Sequence, residues 1–99
     1  MTEPLIADHN VLIDREEIRV TEWRLVPGAV TGPHRHDFDY LVVPLTDGLL
    51  RAISASGQIE TPLQPGRPYF RKAGVEHDVS NAGATPLGFL EIELKDRAG

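Results

Sequence analysis

Apolar and polar residues alternate along this chain in short stretches, each cut off by glycine, proline, asparagine or aspartate. A period of two with turn residues at its ends is the mark of half-buried β-strands. Residues 11–13 predict a short strand and 14–17 a charged turn. Residues 18–26 predict a long strand, stopped by Pro27 and Gly28. The apolar run 40–45 ends at Thr46-Asp47-Gly48, a strong turn, and 49–53 follows at once, so the two predict a hairpin. Further strands are predicted at 58–63, after the turn 54–57, at 69–70 beyond Pro65-Gly66, and at 75–79. The last covers 89–94, with Leu90, Ile92 and Leu94 on one face and Glu91 and Glu93 on a solvated one, or lining the pocket if a barrel is open on that side. No segment has a helical period. About eight short strands joined by turns predict an all-β sandwich or barrel, and we take it as a jelly-roll barrel.

A chain of 99 residues, 40% hydrophobic and 25% charged, is one ordinary domain, with 1–10 as an N-terminal arm and 11–95 as the barrel. Its modest core favours a homodimer that covers more apolar surface and protects edge strands. The net charge of −5, with lysines and arginines dispersed, argues against nucleic acid or an anionic membrane as partner. The longest apolar run is too short to span a bilayer, and the first residues lack the basic-then-apolar order of a signal peptide. With no cysteine there are no disulfides and no thiolate ligands. Together these features place the protein in the cytoplasm.

The histidines carry the chemistry. His34 and His36 form an H-x-H pair, His77 follows in a second glycine-marked segment, and only His9 lies apart, on the arm. Imidazoles two residues apart on a strand share a face, roughly 6.5–7 Å apart along it, and a third from another strand can meet them at one point. Neutral imidazole is the commonest transition-metal ligand, so the expectation is a three-histidine site for a divalent metal. The bland alternative is three unrelated polar residues in a small β-domain. For unperturbed ligands, metal affinity should fall as pH drops through about 6.5.

Gly28-(x5)-His34-Arg35-His36-(x11)-Gly48 resembles the first motif of the cupin superfamily. Gly66-(x5)-Lys72-Ala73-Gly74-(x2)-His77-(x3)-Asn81 resembles the second. The resemblance implies a double-stranded β-helix barrel in which His34, His36 and His77 bind iron, zinc, nickel or manganese. It also shows departures. Counting back from Gly48, the glutamate ligand of the family falls at Leu41, which cannot ligate a metal. Asp39 has the wrong parity to replace it, whereas Tyr40 shares the parity of His34 and His36 and is a candidate weak ligand or substrate contact. Lys72 stands where proline is usual.

A site of neutral imidazoles with no carboxylate leaves coordination positions open, as catalytic sites do. The resemblance then implies a metal-dependent enzyme, an oxygenase or isomerase, acting on a small-molecule substrate. The run 34–48, with Tyr69-Phe70, residues 74–79 and 91–95, is similar to short bacterial cupins associated with beta-alanine and polyamine catabolism. Phe70, like Trp23 and Phe89, is read as core or pocket wall, so Tyr40 and Phe70 are the candidate ligand-binding residues. Glu76, next to His77, reads as a surface acid, and no catalytic residue is evident. The rival readings are a non-enzymatic sensor or carrier and a structural barrel with a vestigial site.

Overall fold

The computed structural model describes residues 5–95, and among them every regular element is a strand. Among these residues no helix is long and apolar enough to cross a membrane. The strands are β1 (Asp8–Asp14), β2 (Ile18–Leu25), β3 (His34–Arg35), β4 (Asp39–Pro44), β5 (Gly48–Ser54), β6 (Gly57–Leu63), β7 (Tyr69–Arg71), β8 (Glu76–Asn81) and β9 (Leu87–Leu94). They form a five-stranded sheet in the order β1-β2-β9-β4-β7 and a four-stranded sheet in the order β3-β8-β5-β6. All ladders between strands are antiparallel. The expected all-β jelly roll is therefore what the chain forms.

Residues 8–10, taken as part of the arm, extend β1, and His9 stacks on Trp23 with ring centroids 4.8 Å apart. The first four residues lie outside the described part.

The expected hairpin across Thr46-Asp47-Gly48 does not form. β4 pairs with β7 and β9 in one sheet, while β5 pairs with β6 and β8 in the other. The bend is instead a crossing between layers, tied down where Leu45 N donates to Gly88 O and Gly88 N donates to Thr46 Oγ1. β5 forms its hairpin with β6 instead, with Ser54 paired to Gly57.

The faces of the five-stranded sheet also differ from expectation. In β9 it is Phe89 and Glu91 that look into the space between the sheets. Leu90, Ile92 and Leu94 lie on the outer face, where an apolar row Ile13–Val20–Ile92–Leu41–Phe70 crosses all five strands in register. The core between the sheets is built by Leu25, Val42, Leu50, Val79, Leu87 and Phe89. Asn81 braces it: its side chain donates to Leu25 O and Thr85 O and accepts from Gly83 N, at 2.8–2.9 Å. A buried amide with its bonds filled is a structural part.

Candidate metal centre

His34 and His77 are brought together by pairing alone. They stand directly opposite each other on β3 and β8, so their side chains leave the four-stranded sheet side by side. His36 lies just past β3, where its N–H donates to Val75 O and its carbonyl accepts from Gly74 N at 2.7 Å. The three Nε2 atoms converge: His36 Nε2 is 3.0 Å from that of His34 and 3.0 Å from that of His77. The rings meet edge to face, with interplanar angles of 71–90°.

These contacts are not explained by hydrogen bonding within the cluster. A ring nitrogen carries one proton or one lone pair, so His36 Nε2 cannot bond both neighbours at once. Two nitrogens about 2.1 Å from a common metal, at right angles, would lie about 3.0 Å apart, the distance that His36 Nε2 keeps to each of its neighbours. The donor set and its spacing thus fit a divalent ion, as its grouping of possible ligand atoms within 4.8 Å indicates.

The protonation states agree. His34 Nδ1 lies 2.8 Å from Gly32 O, which can only accept, so Nδ1 carries the proton and Nε2 keeps its lone pair. Gly32 can aim its carbonyl there because it sits at φ +86°, a conformation that glycine adopts without steric cost. Thr31 and Asp78 hold that turn: Val79 N donates to Thr31 Oγ1 and Gly32 N to Asp78 Oδ1. Burial, reinforced by the charges of His34 and His77, drives the His36 pKa down to about 3. Burial, then the charges of His34 and Arg71, lowers that of His77 to about 4. Both stay neutral and ready to ligate at neutral pH.

Of the two candidates for the missing carboxylate, neither is a substitute acid. Asp39 turns away and accepts from Ala73 N at 2.8 Å, with Lys72 Nζ 3.7 Å from its other oxygen. Leu41 is on the outer face, so the residue that the pleat turns toward the histidines is 40 and not 41. Tyr40, only 2% exposed, stacks on His36 with centroids 3.9 Å apart, and burial raises its phenol pKa. It fixes the imidazole and closes one side of the site.

The cluster borders a cavity of about 370 Å³ between the sheets, a size suited to a small molecule. Its walls include Val42, Leu50 and Phe89, and its polar groups include Tyr69, Arg71 and Glu91. Phe70 is not among them. It is 46% exposed and faces outward, because Tyr69 and Arg71 on either side of it take the inward parity. Burial and the charge of Glu93 push the Glu91 pKa up to about 7. The Trp23 indole partly offsets this, although its buried N–H closes no hydrogen bond of regular geometry.

Glu91, read first as part of a solvated face, and Arg71, not singled out, are polar groups that reading the sequence did not place in the site. Phe89 was the available signal for the first, since a wholly solvated face would not carry it. For the second it was Tyr69, an aromatic two residues from Arg71 on the same face.

No family model matches the chain. A curated relative from Pseudomonas aeruginosa, named beta-alanine degradation protein BauB, is 55% identical over 85 residues, covering 86% of this chain and 90% of its own. The crystal structure of a cupin domain from Bordetella pertussis Tohama I superposes with a TM-score of 0.92 at 44% identity, over 97% of this chain and 100% of that one. An RmlC-like cupin from Methanocaldococcus jannaschii with a double-stranded β-helix fold reaches a TM-score of 0.77 at 12% identity, over 89% and 79% of the two chains, which shows the fold alone.

Proposed function

The chain belongs to the cupin superfamily, and from that premise we propose that it is a metal-dependent enzyme that turns over a small metabolite in the cavity between its sheets. The observation that carries the reading is the convergence of three imidazole nitrogens on the wall of a largely apolar cavity. His34, His36 and His77 would hold the ion. Bound there, a divalent metal supplies Lewis acidity and, if it is iron, redox chemistry.

The remaining roles belong to the chain. Tyr40 holds His36 in place by stacking. Val42, Leu50 and Phe89 exclude water and shape the space for an apolar body. Glu91, with its carboxyl raised to about 7, is poised to take or give a proton at neutral pH, as a general base or acid must. The degradation role named for the Pseudomonas relative, carried to this chain, associates the reaction with beta-alanine breakdown.

The apolar row across the outer face of the five-stranded sheet supports a homodimer that buries it. The test is turnover. Metal-loaded protein should consume at least one compound from a panel of short amino acids, aldehydes and keto acids, and His36→Ala should consume none. A loaded, folded protein inert across that panel and its close homologues would overturn the reading in favour of a binding module.

A further inference from the structure

Arg71 is a cation without an acid. Arg67 on the surface apart, the other described arginines and lysines each have a carboxylate within 4.0 Å. Arg71 has none among the described residues. It lies half-buried in the cavity wall with its guanidinium carbon 4.6 Å from the centre of the Tyr69 ring. Stacked in this way, the guanidinium is fixed in plane while its N–H edge stays open to a partner. Its cross-strand neighbour is Tyr40, the residue stacked on His36, so guanidinium and imidazoles border one end of the cavity.

We propose that Arg71 anchors the carboxylate of a short monocarboxylate ligand, whose charged end lies between the guanidinium and the three imidazoles. The proposal rests on the reading of the cavity as a small-molecule site and names the ligand class for it. The chemistry at that end is one-sided. The histidine cluster includes no carboxylate and Asp39 faces away, so an anion must come with the ligand to balance Arg71.

A carboxylate suits a single guanidinium, which meets both oxygens with two parallel N–H groups. A phosphate would leave oxygens unmatched, since no helix N-terminus is present among the described residues to supply further donors. A second anionic group is disfavoured by Glu91, whose place in the sheet is two strands and two residues away from Arg71. By sheet geometry their Cα atoms are roughly 12 Å apart, and no ion pair joins them. The apolar walls between take a short alkyl or aryl body.

Trp23, the single tryptophan, lines the same cavity and reports occupancy by fluorescence. Propionate, propionamide and methyl phosphate are titrated into metal-loaded and metal-depleted wild type, Arg71→Gln and Arg71→Lys, with metal content measured for each. Propionate is expected to bind the wild type most tightly of the three. Arg71→Gln should weaken it by roughly 10- to 100-fold, the range for a charged bidentate pair. Arg71→Lys, which keeps the charge but loses the fork, should fall between, and metal content should be unchanged in both.

Equal binding of propionate by wild type and Arg71→Gln, or tighter binding of methyl phosphate, would overturn the assignment while leaving the metal reading intact. Arg71-dependent binding by a protein that takes up no metal would support the assignment and sink the metal reading. If propionate does not bind even in a loaded wild type, the assignment fails.

Discussion

Replacing Glu91 by glutamine should make the protein more stable, and more so the higher the pH. The side chain sits in a cavity wall with Phe89 and Trp23, and burial plus the Glu93 charge raise its pKa from 4.5 to about 7. An acid whose folded pKa is raised holds its proton in the native state after the unfolded chain has lost it. Native stability therefore declines as pH rises from about 4.5 through about 7 and levels off above. Integrated between pH 5 and pH 8, that shift amounts to about 2.5 kcal/mol at most. Because Glu91 is only partly buried, solvent screening reduces it to about 1–2 kcal/mol.

Glutamine has nearly the same shape and does not titrate, so the difference between variant and wild type isolates this one group. The histidines titrate alike in both proteins and cancel. The assay is urea unfolding of metal-depleted protein at fixed concentration, followed by Trp23 fluorescence at pH 5, 6, 7 and 8. With slopes of about 1–3 kcal/mol/M for small proteins, the midpoint advantage of Glu91→Gln should grow by about 0.5–1 M across the series. An advantage that stays constant with pH, or shrinks as pH rises, would refute the burial of a strained carboxyl in this cavity and with it the assignment of Glu91 as the proton-handling group.

Three further outcomes follow from the same geometry. Gly48 lies at φ +156°, and a Cβ there would run into Leu87 Cδ2 while standing 3.3 Å from Cγ of that buried side chain. Gly48→Ala should lose about 2–4 kcal/mol in the unfolding assay, and a loss under about 0.5 kcal/mol would contradict the tight crossing between sheets. Leu41→Glu should not create a metal ligand, because residue 41 faces outward: metal affinity stays at the wild-type value while light scattering shows the proposed dimer dissociating. With His36 and His77 depressed to about 3 and 4, metal uptake by folded protein between pH 5 and 7 should release at most one proton per ion. Release of two or three, measured by calorimetry in two buffers, would mean ordinary imidazoles.

Strand positions were legible because alternation is a local property. Residues 18–26 and 58–63 fall within a residue or so of β2 and β6. Partners were less legible. The bend at Thr46-Asp47-Gly48 looks like a hairpin turn because turn chemistry reports a reversal of the chain, and nothing local says whether the two strands then pair or part into different sheets. The histidine site could be read because strand parity and the spacing of the two motifs point to the same residues. Position 41 was misjudged by counting from Gly48, since the bend before that glycine is irregular and counting across it loses parity. The same limit acts at β7 and β9. Alternation says that Phe70 is opposite to Tyr69 and Arg71, and Glu91 opposite to Ile92, but not which of the two sets looks inward. A core made only of apolar residues would have turned Leu90, Ile92 and Leu94 inward. The chain instead turns Glu91 and Arg71 toward the cavity and leaves the apolar residues for an outer face.

The most direct test of the three-imidazole centre is the metal content of untagged protein purified without chelator, compared between wild type and His36→Ala. His36 is 5% exposed and meets both other ligands, so its removal should reduce a near-stoichiometric ion to background while the far-ultraviolet β-spectrum is kept. A wild type that contains no metal and takes up none of iron, zinc, nickel or manganese on titration would contradict a metal-dependent function, and so would a His36→Ala variant that retains its metal in full.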